Sequence, residues 1–362
     1  MPNNLEQFRK QLIEFLSKGK KFAIAYHCDA DGICSTKIMI EYLNKEKKIN
    51  LDNIFYYPTS NNERVMYEHQ EEDVLKKKHD VILYLDLSTN LLDQIHKLRK
   101  DIGLVASIDH HHFNKDMEKN FDLYLNPGLI DGLKKPQLLT TCKFLNTIFY
   151  NTKNDWLEII ALEGDVAIPS LPGTVSNKAA QILNLLGRIE KESEPPDIRD
   201  KRVNTLLTCL LNSDNIPSFL EEFKKQEELN TLYVKIQNDI NENLKKVMAT
   251  EPSYNFGPAN IYIYEVKTRE GYDIVDQILK AHLPYLKYNS TYIIYQTLNS
   301  TNKRFQIHVY SNNPFIDCSA ITSKRGGGGH ANRAGCIPHG TPIETILEQI
   351  KIELRDMVKD KD

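Results

Sequence analysis

The sequence predicts an α/β protein: a parallel-sheet domain with helices on both faces, a helical linker, and a smaller α/β domain. Three observations carry this reading. From Lys21 to about Asp165, short and near-continuously apolar runs alternate with helix-period stretches, as buried parallel strands and their crossover helices require. A long, charged, helix-period stretch follows, and Glu194-Pro195-Pro196 breaks the chain just before it. From about residue 254 strand-like runs return and end in a last helix.

In chain order, a helix is expected at about 5–18, then the strand FAIAY (22–26) and a helix at about 33–47. The strands IFYY (54–57), VILYL (81–85), LVASI (104–108) and FDLYL (121–125) follow, with helices at about 90–100, 137–150 and 154–163. These elements define a first domain over 1–186. Residues 187–253 read as the helical linker, whose charge runs are a solvated helix face. The second domain, 254–362, holds NIYIYEV (260–266), STYIIYQTL (290–298), RFQIHVY (304–310) and a helix at about 342–358.

A chain of 362 residues, 41% hydrophobic, exceeds one typical compact domain, so two are the default. Lys+Arg 46 against Asp+Glu 49 leaves a net charge of -3, which excludes a polybasic chain that coats nucleic acid with its whole surface. No apolar run reaches 18 residues and MPNNLEQFRK carries no apolar core, so the expectation is a cytoplasmic protein without membrane span or secretory signal. The six cysteines form no CxxC pair and are expected as reduced, buried thiols.

Three expected strands run into acids or histidines. FAIAY is followed by His27-Cys28-Asp29-Ala30-Asp31-Gly32, VILYL by Asp86, and LVASI by Asp109-His110-His111-His112. In an open parallel sheet the functional crevice lies beyond the carboxyl ends of the strands, so these groups converge on one rim. Asp165, after DWLEIIALEG, is a further acid for that rim. One strand-end Asp is ordinarily a helix N-cap. Several packed carboxylates, however, repel one another and need a cation. Oxygen plus imidazole ligands favour Mn²⁺ or Mg²⁺ over structural zinc, and two such ions are a standard device for hydrolysing phosphoesters. On this reading His27, Asp29, Asp31, Asp86, His110 and Asp165 are ligands, with Asp86 the bridge. Asp109 orients a histidine from behind, His111 contacts the phosphate, His112 is structural, and Cys28 packs inward.

The segment from Ser323 to Gly335 combines bare backbone, Gly326 to Gly329, with Lys324, Arg325, Arg333 and His330. Glycines let backbone amides approach an anion, and arginine grips phosphate. Ser323, Arg325, Gly327, Gly328, Gly329, His330 and Arg333 are therefore the candidate substrate contacts. No Gly-Lys-Ser/Thr ending makes it a Walker loop. Between Tyr285 and Gly335, Lys287, Lys303, Arg304, Lys324, Arg325 and Arg333 face only Asp317, with Tyr285, Tyr288, Tyr292, Tyr295, Phe305, Tyr310 and Phe315 interleaved. Cations and rings together suit single-stranded nucleic acid, although about two in three of those rings must be core, since alternate strand positions face inward.

The HxDxDG segment at His27 to Gly32, Asp86, Asp109-His110-His111, Asp165 and the GGGGH run ending at His330 resemble, in order and spacing, the DHH/DHHA1 phosphoesterase superfamily. The resemblance covers residues 20 to 350. It implies a catalytic DHH domain and a substrate-binding DHHA1 domain, two Mn²⁺ ions, and the same roles for Asp29, Asp31, Asp86, His110, His111 and Asp165. Within that family the single residue between His27 and Asp29 is closer to RecJ-like archaeal nucleases than to nano-RNases. The implied function is a metal-dependent exonuclease that releases mononucleotides from single-stranded DNA or RNA. The alternative is a short-oligonucleotide or pAp phosphatase, or a cyclic-dinucleotide phosphodiesterase. The sequence shows no OB-fold beyond the second domain, which argues against long-strand processivity. Implied partners are single strands or short oligonucleotides, with replication or repair proteins as further candidates.

Overall fold

A computed structural model describes residues 4–59, 65–87, 92–111, 118–130, 139–149, 154–165, 174–189, 194–249, 251–256, 259–268, 271–272, 275–276, 279 and 289–359; for 243, 244, 246–249 and 330 only the backbone is described. The chain forms two compact units, Met1–Arg188 with Glu194–Tyr233, and Ile189–Ser193 with Val234–Asp362.

The first unit is built on five parallel strands, β1 (Phe22–Tyr26), β2 (Ile54–Pro58), β3 (Val81–Leu85), β4 (Leu104–Ile108) and β5 (Leu123–Leu125), in the order β2-β1-β3-β4-β5. All five expected runs are strands, and every residue of β1 and β3 is buried, as a sheet covered on both faces demands. One face packs Ala23, Ala25, Ile82, Tyr84 and Val105 with Val74, Ile95 and Leu98 from flanking helices. The order reverses at β1, so the rim beyond β1 and β3 is the topological switch point of the sheet.

The helices are α1 (Leu5–Leu16), α2 (Ala30–Glu41), α3 (Glu68–Lys77), α4 (Leu92–Leu98), α5 (Thr141–Phe149), α6 (Asp155–Asp165), α7 (Val175–Arg188), α8 (Pro196–Leu211), α9 (Ile216–Lys224) and α10 (Glu227–Ala249). The expected helix at 33–47 starts three residues earlier, because Asp29 caps it, and ends in a π-turn over Tyr42–Glu46. The stretch read as a linker divides differently. α8 and α9 belong to the first unit, where Leu206, Leu207, Leu210, Phe219 and Phe223 are buried, and the buried Arg199 donates to the Thr59 carbonyl at 2.9 Å.

The second unit is a six-stranded mixed sheet, β6 (Tyr254–Phe256), β7 (Ala259–Glu265), β8 (Ser290–Asn299), β9 (Arg304–Ser311), β10 (Gly328–His330) and β11 (Arg333–Cys336), in the order β10-β11-β9-β8-β7-β6. Of these strands only β7 and β8 run parallel. Ile261, Ile293, Ile307 and Val309 on one face pack against α11 (Cys318–Ser323) and α12 (Ile343–Lys359) through Ile321, Ile350 and Leu354. The other face carries Tyr262, Tyr292 and Tyr310, with Tyr262 and Tyr292 stacked at 4.7 Å. The glycine run is thus strand and cap rather than open loop: Gly326 and Gly327 amides donate to Ser323 and Thr322 carbonyls at the end of α11, and Gly328 pairs with Gly335.

Candidate active site

The backbone ladder continues one residue past the strands. The His27 amide donates to the Leu85 carbonyl (3.2 Å), the Asp86 amide to Ile108 (3.0 Å) and the Asp109 amide to Leu125 (3.0 Å), so these three stand side by side on the rim. Asp86 sits at φ 59, a left-handed conformation that a non-glycine residue adopts at a cost of roughly 1–2 kcal/mol. That turn re-aims its carboxylate between the ends of β1 and β4. The left-handed backbone is a local strain at a functional position.

After β1 the chain turns straight into α2. Asp29 Oδ1 accepts from the Gly32 amide at 3.1 Å as N-cap, while Oδ2 lies 2.8 Å from His27 Nδ1. The ordinary capping role and a place in the cluster are therefore filled by one side chain. Gly32 is obligatory here, because a Cβ would collide with the His27 carbonyl. Asp31, in the first turn, accepts from the Thr141 and Cys142 amides at 2.7 and 2.8 Å, and so is held by the N-terminus of α5. The expectation for Cys28 stands: its thiol is buried and donates to the Thr59 carbonyl.

His27 Nδ1 is 3.5 Å from Asp86 Oδ2. His110 Nε2 lies 3.4 Å from Asp86 Oδ1, 3.6 Å from Asp31 Oδ2 and 3.6 Å from Asp165 Oδ2, which the end of α6 delivers. Neither ring nitrogen of the buried His110 makes a hydrogen bond among the described residues. One oxygen from each of three carboxylates thus stands 3.4–3.6 Å from His110 Nε2, beyond ordinary hydrogen-bond length. Two groups of donor atoms, His27-Asp29-Asp86 and Asp86-His110-His111, each lie within 4.8 Å, and Asp86 belongs to both.

The electrostatics call for a cation. Burial, and next the Asp86 carboxylate, push Asp31 well above the usual carboxylate range. Burial lowers His110, but Asp165, Asp31 and Asp109 overcome it and raise its affinity for a proton. A positive charge is wanted at that point. The donor set, carboxylate oxygen and imidazole without thiolate, fits Mn²⁺ or Mg²⁺. Asp109 is different: burial would raise it, yet His111 at 2.6 Å holds it down at about 2, so it stays a carboxylate and fixes the His111 ring. The histidine oriented from behind is therefore His111, the most exposed of these side chains at 23%. His112 lies outside the described residues.

Residues not singled out by sequence complete the setting. The Thr141 hydroxyl donates to Asp86 Oδ1 at 3.1 Å, the Asn126 amide donates to the His111 carbonyl at 2.9 Å, and Arg188 Nη1 stands 4.0 Å from Asp29. Each contributes through a tertiary approach with no local signature.

In the second unit one expected phosphate grip is otherwise engaged. Arg325 is only 8% exposed; its guanidinium holds both carboxylate oxygens of Glu353 at 3.1 Å and donates to the Ile321 carbonyl, and Lys324 lies 3.6 Å from the same Glu353. An acid twenty-eight residues downstream takes up the charge that the local sequence shows as free. Ser323 donates to the Ser319 carbonyl, and Arg333 is partly buried on β11. Of the interleaved rings, Tyr292, Phe305 and Tyr310 are core, Phe315 is half exposed, and Tyr285 and Tyr288 lie outside the described residues.

Residues 21–158 match the model of the DHH family, N-terminal domain. That segment is similar to a DHH-family N-terminal domain. No curated protein sequence matches the chain. Among solved structures it is similar to an exonuclease RecJ bound to manganese (17% identity, TM-score 0.54, 98% of this chain and 94% of that one). It is also similar to RecJ from Thermus thermophilus in complex with Mn²⁺ (16% identity, TM-score 0.59), covering 99% of this chain but 55% of that one. A third is an exopolyphosphatase-related protein from Bacteroides fragilis (13% identity, TM-score 0.54, 98% of each). At these identities the likeness is one of fold. Two groups of acids and histidines on the rim, His27-Asp29-Asp86 and Asp86-His110-His111, are so placed that each could hold a metal ion.

Proposed function

We propose that this chain is a DHH phosphoesterase, a two-metal phosphodiesterase that removes mononucleotides from the end of single-stranded DNA or RNA. The observation that carries it is the sharing of Asp86 between two donor groups on one rim. His27, Asp29 and Asp86 would hold one ion, and Asp31, Asp86, His110 and Asp165 the other. Divalent ions bound there lower the pKa of water and neutralise phosphoryl oxygens. The chain's own groups do the rest. The Thr141 hydroxyl keeps Asp86 oriented, the Thr141 and Cys142 amides at the start of α5 hold the Asp31 carboxyl in place, and Asp109 presents the far side of the His111 ring to a phosphate oxygen. The second unit, as a DHHA1-like module over 254–362, contributes substrate contacts from Ser323, Gly327, Gly328, Gly329, His330 and Arg333. Arg325 serves as the anchor of that segment to α12.

The pairing of Lys324 and Arg325 with Glu353 favours a second reading, hydrolysis of short oligonucleotides, pAp or cyclic dinucleotides. A long strand needs many unspent cations, whereas one end nucleotide needs few. One experiment decides: Mn²⁺-loaded protein with 5′- and 3′-labelled DNA and RNA from two to about thirty nucleotides, and pAp alongside. Stepwise shortening of the long strands from one end supports the exonuclease. Turnover confined to two or three nucleotides replaces it with the second reading, and no turnover of any substrate removes both.

A further inference from the structure

The second unit holds a histidine that neither the glycine run nor the metal rim accounts for. His308, on β9, has Nδ1 2.6 Å from Asp276 Oδ1, and the Tyr310 hydroxyl donates to that same oxygen. Asp276 is 5% exposed, so one buried acid fixes both the phenol and the imidazole. Nδ1 is thereby committed and the Cδ2–Nε2 edge is turned outward along the sheet.

That edge meets Gly335, the direct partner of His308 across β9 and β11. A Cβ at 335 would collide with both Cδ2 and Nε2, so only glycine lets the ring lie flat on β11. The next residue across the sheet is Gly328, paired with Gly335, and no described atom lies within 4 Å of where its Cβ would stand. Among the described residues, the strand next to the ring therefore leaves open space over Gly328. The Nε2 nitrogen makes no hydrogen bond among the described residues, and the side chain is 25% exposed. Arg333, opposite Tyr310 in the adjacent pair, brings a guanidinium to the same face.

A purely structural role would be complete with Tyr310 on Asp276. It explains neither the outward Nε2 nor the clearance over Gly328. We propose that His308 is a phosphate-binding residue of the second unit: with Nδ1–H given to Asp276 and the ring protonated on both nitrogens when the phosphate is bound, Nε2–H donates to a terminal phosphate oxygen of the nucleotide seated over Gly328, Asp276 and Tyr310 being positioning residues. The inference rests on the nucleotide-hydrolase reading only for the identity of the ligand. It names the contact that replaces Arg325.

The test uses the full chain in EDTA, titrated with adenosine 5′-monophosphate and, separately, adenosine, following the histidine ring nitrogens by ¹⁵N NMR. The monophosphate is expected to move the His308 Nε2 resonance and adenosine to leave it in place. The Kd for the monophosphate should rise about tenfold in His308→Asn, with the melting temperature held. An unmoved resonance at saturation, no binding to the wild type, or equal affinity in a folded His308→Asn overturns the proposal. If the variant does not fold, the wild-type resonance alone decides. Failure of the Mn²⁺-loaded protein on oligonucleotides with the His308 shift intact would defeat the exonuclease reading and leave this one standing.

Discussion

Replacing Asp86 by Asn separates a metal-building carboxylate from a merely structural one, because the two roles predict opposite signs. Asn keeps an oxygen for the Thr141 hydroxyl and tolerates the left-handed backbone at φ 59, so neither the hydrogen bond nor the local strain changes. What it removes is a charge. Asp86 Oδ1 and Asp31 Oδ2 both lie within 3.6 Å of His110 Nε2, so their separation has an upper bound of about 7 Å, at which two carboxylates repel by about 2 kcal/mol at an effective dielectric of about 20. Attraction to His27 and His110 offsets part of this. The metal-free variant should therefore be no less stable than the wild type, with a gain on the order of 2 kcal/mol, or about 4–8 °C in Tm for a unit of this size. With Mn²⁺ at a hundredfold over its Kd the wild type should gain about 2.7 kcal/mol, and the variant should lose most of that gain together with turnover. Thermal melting followed by circular dichroism, in EDTA and in Mn²⁺, reads both numbers. A variant that melts lower without metal and shows the full Mn²⁺ shift would refute the shared-carboxylate argument.

Three further outcomes follow from single contacts. Gly32→Ala forces a Cβ into the His27 carbonyl and should cost roughly 1–3 kcal/mol while weakening Mn²⁺ binding, both visible in calorimetry. Arg325→Ala leaves Glu353 with Lys324 alone and removes the bond to the Ile321 carbonyl, so it should destabilise the second unit by about 1.5–3 kcal/mol, whereas a surface phosphate grip would raise KM and leave the melt unchanged. Burial pushes Glu41 up, but Lys37 at 2.9 Å outweighs it and holds the carboxyl below its ordinary value. Its stabilisation is thus fully present above the unfolded pKa and is lost as pH falls through the lowered folded one. Glu41→Gln should lose about 1.5–3 kcal/mol at pH 7 and flatten the acid limb of the stability profile.

The strands of the first unit and their acidic ends were legible because burial on both faces leaves an unbroken apolar run and a polar residue just after it stands out. α3 was not: in EHQEEDVLKK only Gln70 and Val74 are buried, so no apolar stripe marks the helix. β10 and β11, GGH and RAGC, lack the branched or aromatic residues that signal a strand, and their pairing is held by β9. Partners from far along the chain were equally silent. Glu353 for Arg325, Asp276 for His308 and Thr141 for Asp86 are set by packing at separations of 28, 32 and 55 residues.

The place of Asp86 follows from sheet order rather than from its neighbours in sequence. β3 lies between β1 and β4, and the ladder bonds carry all three strands one residue beyond their ends. Strands stand about 4.8 Å apart, so a side chain at the end of the middle strand reaches donors from both sides, while those on the outer two reach only one. His27 and Asp29 come from the β1 side, His110 and His111 from the β4 side. Any group that serves both sets must sit where Asp86 does, and the left-handed turn at φ 59 is what carries its carboxylate off the strand and into the space between them.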